Sequence, residues 1–380
     1  MDRKRVFFVL PSMRCGGVEK VASILMNHLD RERYEFKVVL FNRIGEFLGD
    51  VPQDVEIIDL KKRSRVSFFS LILKMRRLIV AQKPDILLSA LYYPNVVTVL
   101  ANLFLTANCR IIISEHSPHQ ELLPFKRLRG LVRLLMFYTY RKAHKIVAVS
   151  QGIKKLLVAD FKILPDHVRV INNPVVPETV RTLSKLEVFH PFFESKKNGY
   201  TLLISVGRLT RQKNYRLLIE ALARVRRRTP TCLLILGDGE QKKELLGLAE
   251  ELGVRQYVSF VGYQANPYNW IKKADIFVLS SSWEGLPVAV IEAMVCGTPV
   301  VSTNWPPGAD ELIEDFKTGR LVPTDDVDSL SQAIIEVAKD RRLKKRIVER
   351  AITCVERYHY SKTVRRYERI FEEVVLLGEG

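Results

Sequence analysis

Residues 280–293 read SSSWEGLPVAVIEA, and this stretch decides the fold more than any other part of the chain. The uncharged run 276–279 before it predicts a buried strand, which ends at three serines and a Glu-Gly turn. Pro287 then suits the first position of a helix that continues to residue 296. The pattern therefore predicts a strand, a loop and a helix of the kind found in parallel α/β sheets.

The start of this helix is a candidate ligand site. Its amides would be donors at the positive end of the helix dipole, suited to phosphate or sugar oxygens, and they belong to Gly285, Leu286 and Val288. Glu284 and Glu292 are at most about 12 Å apart along a helix, farther than the roughly 5 to 9.5 Å that separates paired glycosidase carboxylates. Two contacts on one elongated ligand, such as the sugar and the ribose of a nucleotide sugar, fit this spacing. A surface loop glutamate and a solvated helix glutamate remain the alternative.

A second strand-to-loop junction supplies cations. Residues 202–214 read LLISVGRLTRQKN, which predicts a buried strand that breaks into a Gly-Arg turn. Arg208 offers a planar fork for bidentate contacts and Lys213 a mobile point charge, a combination that suits a diphosphate.

These motifs together resemble the family 4 retaining glycosyltransferases, and the resemblance covers essentially all 380 residues. Glu284 and Glu292 match the family's Glu-x7-Glu signature, and Arg208 and Lys213 match its Gly-Arg-x4-Lys signature. The resemblance implies an α/β GT-B fold, with two facing Rossmann-like domains and a cleft between them. The expected donor site comprises Gly16, Gly17, Arg208, Lys213, Tyr263, Glu284, Gly285, Leu286, Pro287, Val288 and Glu292.

The N-terminal half is expected to complete the site. Gly16 and Gly17 follow the first predicted strand, where glycines let the backbone approach a phosphate or the acceptor. The sequence ISEHSPH ends another strand, and His116 best matches a family histidine that contacts the donor sugar. His116, Glu284, Arg208 and Lys213 are therefore the catalytic candidates, and Arg14, Glu115 and His119 are the candidates on the acceptor side.

The resemblance also implies the chemistry. The configuration at the anomeric carbon would be retained, and the departing diphosphate would take the acceptor's proton. We expect no metal and no other cofactor, because no DxD-type carboxylate pair stands at a strand end. The run 325–328, DDVD, follows a turn and predicts a helix cap instead.

Length and composition agree with two domains, since 380 residues with 47% hydrophobic side chains can form two cores. We predict an N-terminal domain at 1–172, a linker at 173–199 and a nucleotide-sugar domain at 200–357, with a helix at about 358–380 packing back on the first domain. The uncharged stretch 86–109 is interpreted as a strand, a loop and a helix rather than a membrane span. The five scattered cysteines and the absence of an apparent signal peptide favour a reducing cytoplasm.

Charge is concentrated in the first half. Of the net charge of +18, residues 1–180 contribute +13, with 29 Lys and Arg against 16 Asp and Glu. Residues 61–77 and 126–142 mix these cations with apolar residues at helical spacing, as in helices that lie in a membrane interface. We expect peripheral association with the inner face of the cytoplasmic membrane and a lipid-linked glycan as acceptor, although a solvated basic face remains possible. No nucleic-acid-binding motif accompanies the charge, so no nucleic acid partner is expected.

Two alternatives stay open at this stage. One is a GT-B enzyme that acts on a soluble sugar or sugar phosphate, and the other is a protein that binds a nucleotide sugar without turning it over. A dehydrogenase ranks lower, because the first glycine loop is not GxGxxG. UDP is the expected nucleotide; the sugar, the linkage and the oligomeric state are not indicated.

Overall fold

The computed structural model describes residues 3–62, 68–103, 105, 109–118 and 129–376. The chain divides into two compact units, which are residues 1–174 with 360–380, and residues 175–359.

Strands and helices alternate along the whole chain. The strands are β1 (Lys4–Leu10), β2 (Tyr34–Leu40), β3 (Glu56–Asp59), β4 (Ile86–Ala90), β5 (Arg110–Glu115), β6 (Lys145–Ala148), β7 (Val168–Val170), β8 (Thr201–Val206), β9 (Thr231–Leu236), β10 (Val258–Gly262), β11 (Ile276–Leu279), β12 (Val300–Thr303) and β13 (Arg320–Val322). The helices are α1 (Gly17–His28), α2 (Phe68–Gln82), α3 (Tyr92–Asn102), α4 (Arg129–Tyr140), α5 (Gln151–Phe161), α6 (Pro177–Leu183), α7 (Pro191–Ser195), α8 (Tyr215–Arg226), α9 (Lys242–Glu251), α10 (Tyr268–Lys273), α11 (Val288–Val295), α12 (Ala309–Leu312), α13 (Val327–Lys339), α14 (Arg341–Cys354) and α15 (Tyr360–Leu376).

The first unit contains a seven-stranded parallel sheet in the order β3-β2-β1-β4-β5-β6-β7. Its inner strands are apolar on both faces, because helices cover both sides. On one face, α1 and α15 share a core in which Leu25 packs with Val364, Tyr367 and Phe371. On the other face, Leu71 and Met75 of α2 and Val97 of α3 form a second core. The predicted return of the last helix is thus seen in this unit.

The second unit contains a six-stranded parallel sheet in the order β10-β9-β8-β11-β12-β13. Every residue of β9 is buried, which fits a strand covered on both faces. Its main core joins Leu218 and Leu222 of α8 to Leu330 and Ile334 of α13.

Residues 173–199, expected as a linker, are instead largely folded. Residues 175–199 belong to the second unit and contain α6 and α7. Two of the three prolines in this stretch, Pro177 and Pro191, stand at the first positions of these helices, where a missing amide proton costs nothing. The uncharged stretch 86–109 contains β4 and α3, as the sequence predicted.

Candidate functional site

The order of the second sheet reverses between β8 and β11, which places the loops that follow these strands side by side. Ligands of open α/β sheets bind at such a switch point, outside the carboxyl ends of the strands. Arg208 and Lys213 follow β8, and Glu284 follows β11. The topology therefore gathers three of the four catalytic candidates at one edge of the second unit.

Lys213 and Glu284 form an ion pair at this edge. The distance from Lys213 Nζ to Glu284 Oε1 is 2.6 Å, and the two side chains are only 17% and 8% exposed. Ser281 Oγ donates to the same carboxylate oxygen over 2.7 Å, and Gln212 Nε2 donates to Oε2 over 3.1 Å. The sequence indicated the two charged residues separately, but not their contact and not the roles of Ser281 and Gln212.

Arg208 lies in a different environment from Lys213. It is exposed at the tip of the turn that begins at Gly207. The turn is packed tightly against the loop after β9, because a Cβ added to Gly237 would lie 2.1 Å from the carbonyl oxygen of Gly207. Gly237 also has a φ of 131°, which disfavours any other residue. Glycine at position 237 therefore allows the two loops to pack closely, and this packing fixes the backbone of the turn that carries Arg208.

Glu292 is buried on the first turns of α11, where the hydroxyl of Tyr268 donates to its Oε1 over 3.3 Å. Pro287 is the cap residue and α11 begins at Val288, so the prediction that Pro287 occupies the first helical position is wrong by one residue. Its φ of −73° and ψ of 110° are extended, a conformation open to proline outside a helix. Gly285 and Leu286 are buried beside it.

Tyr263 is the donor candidate that the structure places apart within the second unit. It follows the edge strand β10 and is 39% exposed. Strands β9 and β8 separate β10 from β11 in the sheet, so Tyr263 stands at the far side of the same edge from Glu284.

In the first unit, the glycine loop follows β1 at the corresponding reversal of strand order, between β1 and β4. Gly16 caps α1 and Gly17 begins it, so the amides of this turn lie at a helix N-terminus. A second loop supports this one: Cys15 N donates to Glu46 Oε2 over 2.7 Å. Gly45 has a φ of 127°, and a Cβ there would lie 2.0 Å from the carbonyl carbon of Met13. Arg14 is exposed on this loop.

Glu115 and His116 lie at the end of β5 but are both buried. Glu115 Oε1 accepts from Asn95 Nδ2 over 2.9 Å and from the Tyr140 hydroxyl. Burial raises the pKa of Glu115 to about 7, and these two donors offset part of that rise. Glu115 thus lies in an internal polar network rather than at a surface open to an acceptor. His119 lies outside the described residues.

His116 is held as a neutral imidazole. Its Nε2 lies 2.9 Å from Ser114 Oγ. Burial lowers the pKa of His116 to about 4, and the side chain of Asn173 offsets part of that decrease. At neutral pH one ring nitrogen is therefore a donor and the other an acceptor, and Nε2 is already engaged by Ser114 Oγ.

Two helices of the first unit expose apolar side chains beside cations. On α4, Leu131, Leu134 and Tyr138 are each more than half exposed, and their spacing places them on one helix face. On α2, Phe69 and Leu73 are exposed in the same way. We refer to these five residues as the apolar stripes. Helix α3 packs against both α2 and α4, so the two stripes lie on helices that share one neighbour.

The basic stretches that suggested a membrane surface are partly described. Arg77 on α2, and Arg133, Arg141 and Lys142 on or after α4, are exposed near the apolar stripes. Residues 63–67 and 119–128, which include Lys126 and Arg127, lie outside the described residues. Within the described ranges, no helix is long and apolar enough to cross a bilayer.

Acidic and metal-binding side chains near the candidate site have other roles in the described residues. In the part of the chain that the structure describes, no three His, Cys, Asp or Glu side chains are grouped closely enough to hold a metal ion. Asp326 caps α13 by accepting from Ser329 N over 2.9 Å, which confirms the cap predicted from the DDVD run. Asp325 accepts from Asn214 Nδ2 over 2.7 Å.

Comparison with known proteins places both units in characterised sequence families. Residues 15–179 match the model of Glycosyltransferase Family 4, and residues 189–353 match that of Glycosyl transferases group 1. Two Campylobacter jejuni proteins are similar along nearly their whole length. The N-acetylgalactosamine-N,N'-diacetylbacillosaminyl-diphospho-undecaprenol 4-alpha-N-acetylgalactosaminyltransferase is 29% identical, over 93% of this chain and 95% of the relative. The GalNAc-alpha-(1->4)-GalNAc-alpha-(1->3)-diNAcBac-PP-undecaprenol alpha-1,4-N-acetyl-D-galactosaminyltransferase is 26% identical, over 97% and 99%.

Among solved structures, HepE from Anabaena in complex with UDP and glucose superposes with a TM-score of 0.81. The two chains are 21% identical, and the match covers 98% of this chain and 100% of HepE. This similarity supports the fold, which is that of GT-B enzymes.

Proposed function

Because this chain belongs to the family 4 glycosyltransferases, we propose that it transfers a sugar, with retention of configuration, from a UDP-sugar to a lipid-linked glycan. The observation that carries the donor side is the Lys213–Glu284 pair at the switch point of the second sheet. The two Campylobacter relatives are named for undecaprenol-linked substrates, which supports the acceptor class. The complex of HepE with UDP supports the nucleotide.

In the second unit, Arg208 and Lys213 would bind the donor's diphosphate. In the first unit, the amides of the glycine loop are a further candidate for contact with an anion. A lysine ammonium has three donors, of which Glu284 uses one, so Lys213 can serve both the carboxylate and a phosphate oxygen. Arg208 is exposed, so its guanidinium can reach an anion at the surface of the second unit. These cations would stabilise the charge that develops on the departing diphosphate, and that diphosphate would accept the acceptor's proton.

The two glutamates and the histidine would orient the donor. Glu284 accepts three hydrogen bonds, while a carboxylate has about four acceptor positions, so one remains for a hydroxyl of the transferred sugar. Glu292 would hold the ribose hydroxyls, with Tyr268 fixing its carboxylate. Neutral His116 would contact the transferred sugar. None of these steps requires a metal ion.

The apolar stripes would bring the enzyme to its acceptor. Exposed leucines and aromatics beside arginines are the composition of helices that lie in the headgroup region. Each cation near an anionic leaflet contributes about 1 kcal/mol, so a group of four would dock the protein reversibly. We propose peripheral association with the inner face of the cytoplasmic membrane on this basis.

The test is a measurement of free UDP released from a panel of nucleotide sugars, with two acceptors supplied in parallel. An undecaprenyl-diphosphate-linked glycan is compared with a soluble sugar phosphate, each with and without EDTA. We expect UDP release only with the lipid-linked acceptor, no effect of EDTA, and an α-linked product from an α-linked donor by NMR. Release driven by the soluble acceptor alone would reject the acceptor assignment, and an inverted product would reject retention.

A further inference from the structure

Gln212 joins the two loops that meet at the switch point of the second sheet. Its amide nitrogen donates to the carbonyl of Trp283 over 3.0 Å and to Glu284 Oε2 over 3.1 Å. Its own backbone carbonyl accepts from Ser282 N over 2.9 Å. Side chain and main chain of one residue thus hold three successive residues of the opposite loop.

Neighbouring contacts hold the backbone of these loops but do not act on the outer carboxylate oxygen. Ser280 Oγ donates to the carbonyl of Lys213 over 2.9 Å, and Thr303 Oγ1 donates to the carbonyl of Ser281 over 2.6 Å. Asn214 Nδ2 reaches Ser282 Oγ over 3.3 Å. The loops would therefore keep their course without the Gln212 side chain.

The Glu284 carboxylate needs the Gln212 bond to fix its plane. Lys213 and Ser281 both act on Oε1. The last torsion of a glutamate is broad, so two donors on one oxygen leave the other oxygen free to rotate about that contact. A third donor on Oε2 removes this freedom and defines the direction of the remaining acceptor position.

We infer that Gln212 is a positioning residue, which sets the plane of the Glu284 carboxylate for the transferred sugar and keeps Lys213 paired beside the diphosphate. The inference rests on the proposed function, in which Glu284 contacts that sugar. It also explains the residue type: a neutral donor is required, because a carboxylate at position 212 would repel Glu284 and an apolar side chain would leave Oε2 without this bond.

The first experiment compares Gln212→Met with Gln256→Met. Gln256 is a matched control, since each glutamine is the middle residue of a three-residue 3-10 turn in the same unit and Gln256 is exposed. For Gln212→Met we expect kcat for UDP release to fall by about 10- to 100-fold, the range for lost support of a reacting group. The affinity for free UDP should stay within about threefold, because UDP lacks the transferred sugar. The control should match the wild type in both measurements.

The variant Gln212→Glu supplies a readout that a merely structural role would not move. Two carboxyls about 3 Å apart share one proton, so the pair takes up a proton as the pH falls. The protonated pair restores an O–H donor between positions 212 and 284. The activity of this variant relative to the wild type should therefore rise about tenfold from pH 8 to pH 6.

A measurement without substrate separates this inference from the proposed function. Acetylation of Lys213 by a low concentration of acetic anhydride, followed by mass spectrometry, reports how tightly the amine is paired. We expect labelling in Gln212→Met to be about tenfold faster than in the wild type and the control. If the wild type releases no UDP from any donor, the proposed function fails, and the labelling rates still decide whether Gln212 holds the pair.

Three results with Gln212→Met would overturn the inference. The first is a kcat within threefold of the wild-type value. The second is an equal loss of UDP affinity and of kcat, which would indicate collapse of the whole loop. The third is a rate of Lys213 acetylation that is the same as in the wild type. A pH profile of Gln212→Glu parallel to that of the wild type would count against it equally.

Discussion

At the scale of single residues, the two cations of the donor loop differ in what their removal does to folding. Both follow β8 in a loop, a position from which substitution of a side chain would usually leave the fold intact. Lys213 instead compensates a buried carboxylate, and removing one partner of a buried pair costs about 3 to 5 kcal/mol. Because Lys213 retains 17% exposure, we expect the lower end of that range.

We predict that Arg208→Ala and Lys213→Ala each lower turnover by an amount that corresponds to about 2 to 4 kcal/mol of transition-state stabilisation. Only Lys213→Ala should also lower the free energy of unfolding, by about 3 kcal/mol. Urea denaturation beside steady-state kinetics provides the check. Near-normal turnover in either variant would reject the diphosphate assignment.

The two glutamates should differ in the ligand that they affect. Glu292→Gln should weaken the binding of free UDP, because Glu292 is assigned to the ribose. Glu284→Gln should leave UDP binding nearly unchanged and lower the affinity for the complete UDP-sugar as well as kcat. Calorimetry with UDP and then with UDP-sugar measures the two affinities. Tyr268→Phe should weaken UDP binding less than Glu292→Gln does, because it removes only the donor to the Glu292 carboxylate. Equal loss of UDP affinity in the two glutamine variants would contradict this division.

Glu115 and His116 should give opposite pH dependences of stability. The pKa of Glu115 rises from 4.5 to about 7 in the folded protein, so its contribution is complete below pH 4.5 and is lost as the pH rises through 7. The pKa of His116 falls from 6.5 to about 4, so its contribution is complete above pH 6.5 and is lost as the pH falls through 4. Each of these two titrations changes the free energy of unfolding by about 3 kcal/mol, since one pKa unit corresponds to about 1.4 kcal/mol.

Urea denaturation of Glu115→Gln and His116→Asn at half-unit steps from pH 4 to pH 8 separates the contributions of the two residues to stability. Relative to the wild type, Glu115→Gln should gain stability as the pH rises from 5 to 8. His116→Asn should lose less stability than the wild type below pH 6. Parallel curves for all three proteins would show that neither group titrates as its burial requires.

At the scale of elements, α4 is predicted to contact lipid through its apolar face as well as through charge. Leu131→Ser with Leu134→Ser should weaken binding to anionic vesicles about tenfold at both low and high salt, since transfer of apolar area does not depend on charge screening. Replacing Lys126, Arg127, Arg129 and Arg133 with Gln should weaken binding mainly at low salt. Co-sedimentation with vesicles measures both.

Leu164→Ser is the matched control, because Leu164 is a highly exposed leucine of the same unit that lies outside the apolar stripes. It should bind vesicles like the wild type. If the α4 variant behaves like Leu164→Ser, or if neutral and anionic vesicles bind equally, the basic face is only solvated surface.

The three strands that the sequence did not indicate share one position in the fold. Strands β3, β7 and β13 have four, three and three residues and lie at sheet edges. An edge strand carries one open side, so exposed charged residues such as Glu56 and Arg169 interrupt the continuous apolar run that indicates a central strand. In β13 the interruption is the buried Arg320, which pairs with Asp315 and Glu336. Strand β10 is also an edge strand, but its apolar VSFV made it recognisable.

The site was predictable as a set of residues but not as a set of contacts. Motif positions placed Arg208, Lys213 and Glu284 in loops that follow strands and Glu292 on the next helix, and the structure has them there. The Lys213–Glu284 bond joins residues 71 positions apart and depends on β8 lying beside β11, which is decided by how the chain crosses the sheet. Local patterns carry no information on that adjacency, and so Gln212 and Ser281 gave no signal.

At the scale of the whole molecule, the last helix should decide the stability of the first unit and not that of the second. Val364, Tyr367, Ile370, Phe371 and Val374 of α15 are buried in the core that contains α1. Glu372 and Glu373 add ion pairs to Arg33 and Lys145. Full burial of one such side chain contributes about 1.5 to 3 kcal/mol, so five of them approach the 5 to 15 kcal/mol by which a domain is stable.

A chain that ends at His359 should therefore have an unfolded or loosely packed first unit beside an intact second unit. Hydrogen exchange followed by mass spectrometry should show rapid exchange in β1 and β4 and full protection in β8 and β9. A chain that ends at Leu376 keeps all of α15 and is the control, which should exchange like the full-length protein. The two units have separate cores, in which α15 packs with α1 whereas α8 packs with α13. Equal loss of protection in β8 would mean that the second unit does not hold its fold independently, and retained protection in β1 would mean that α15 is dispensable to the core it enters.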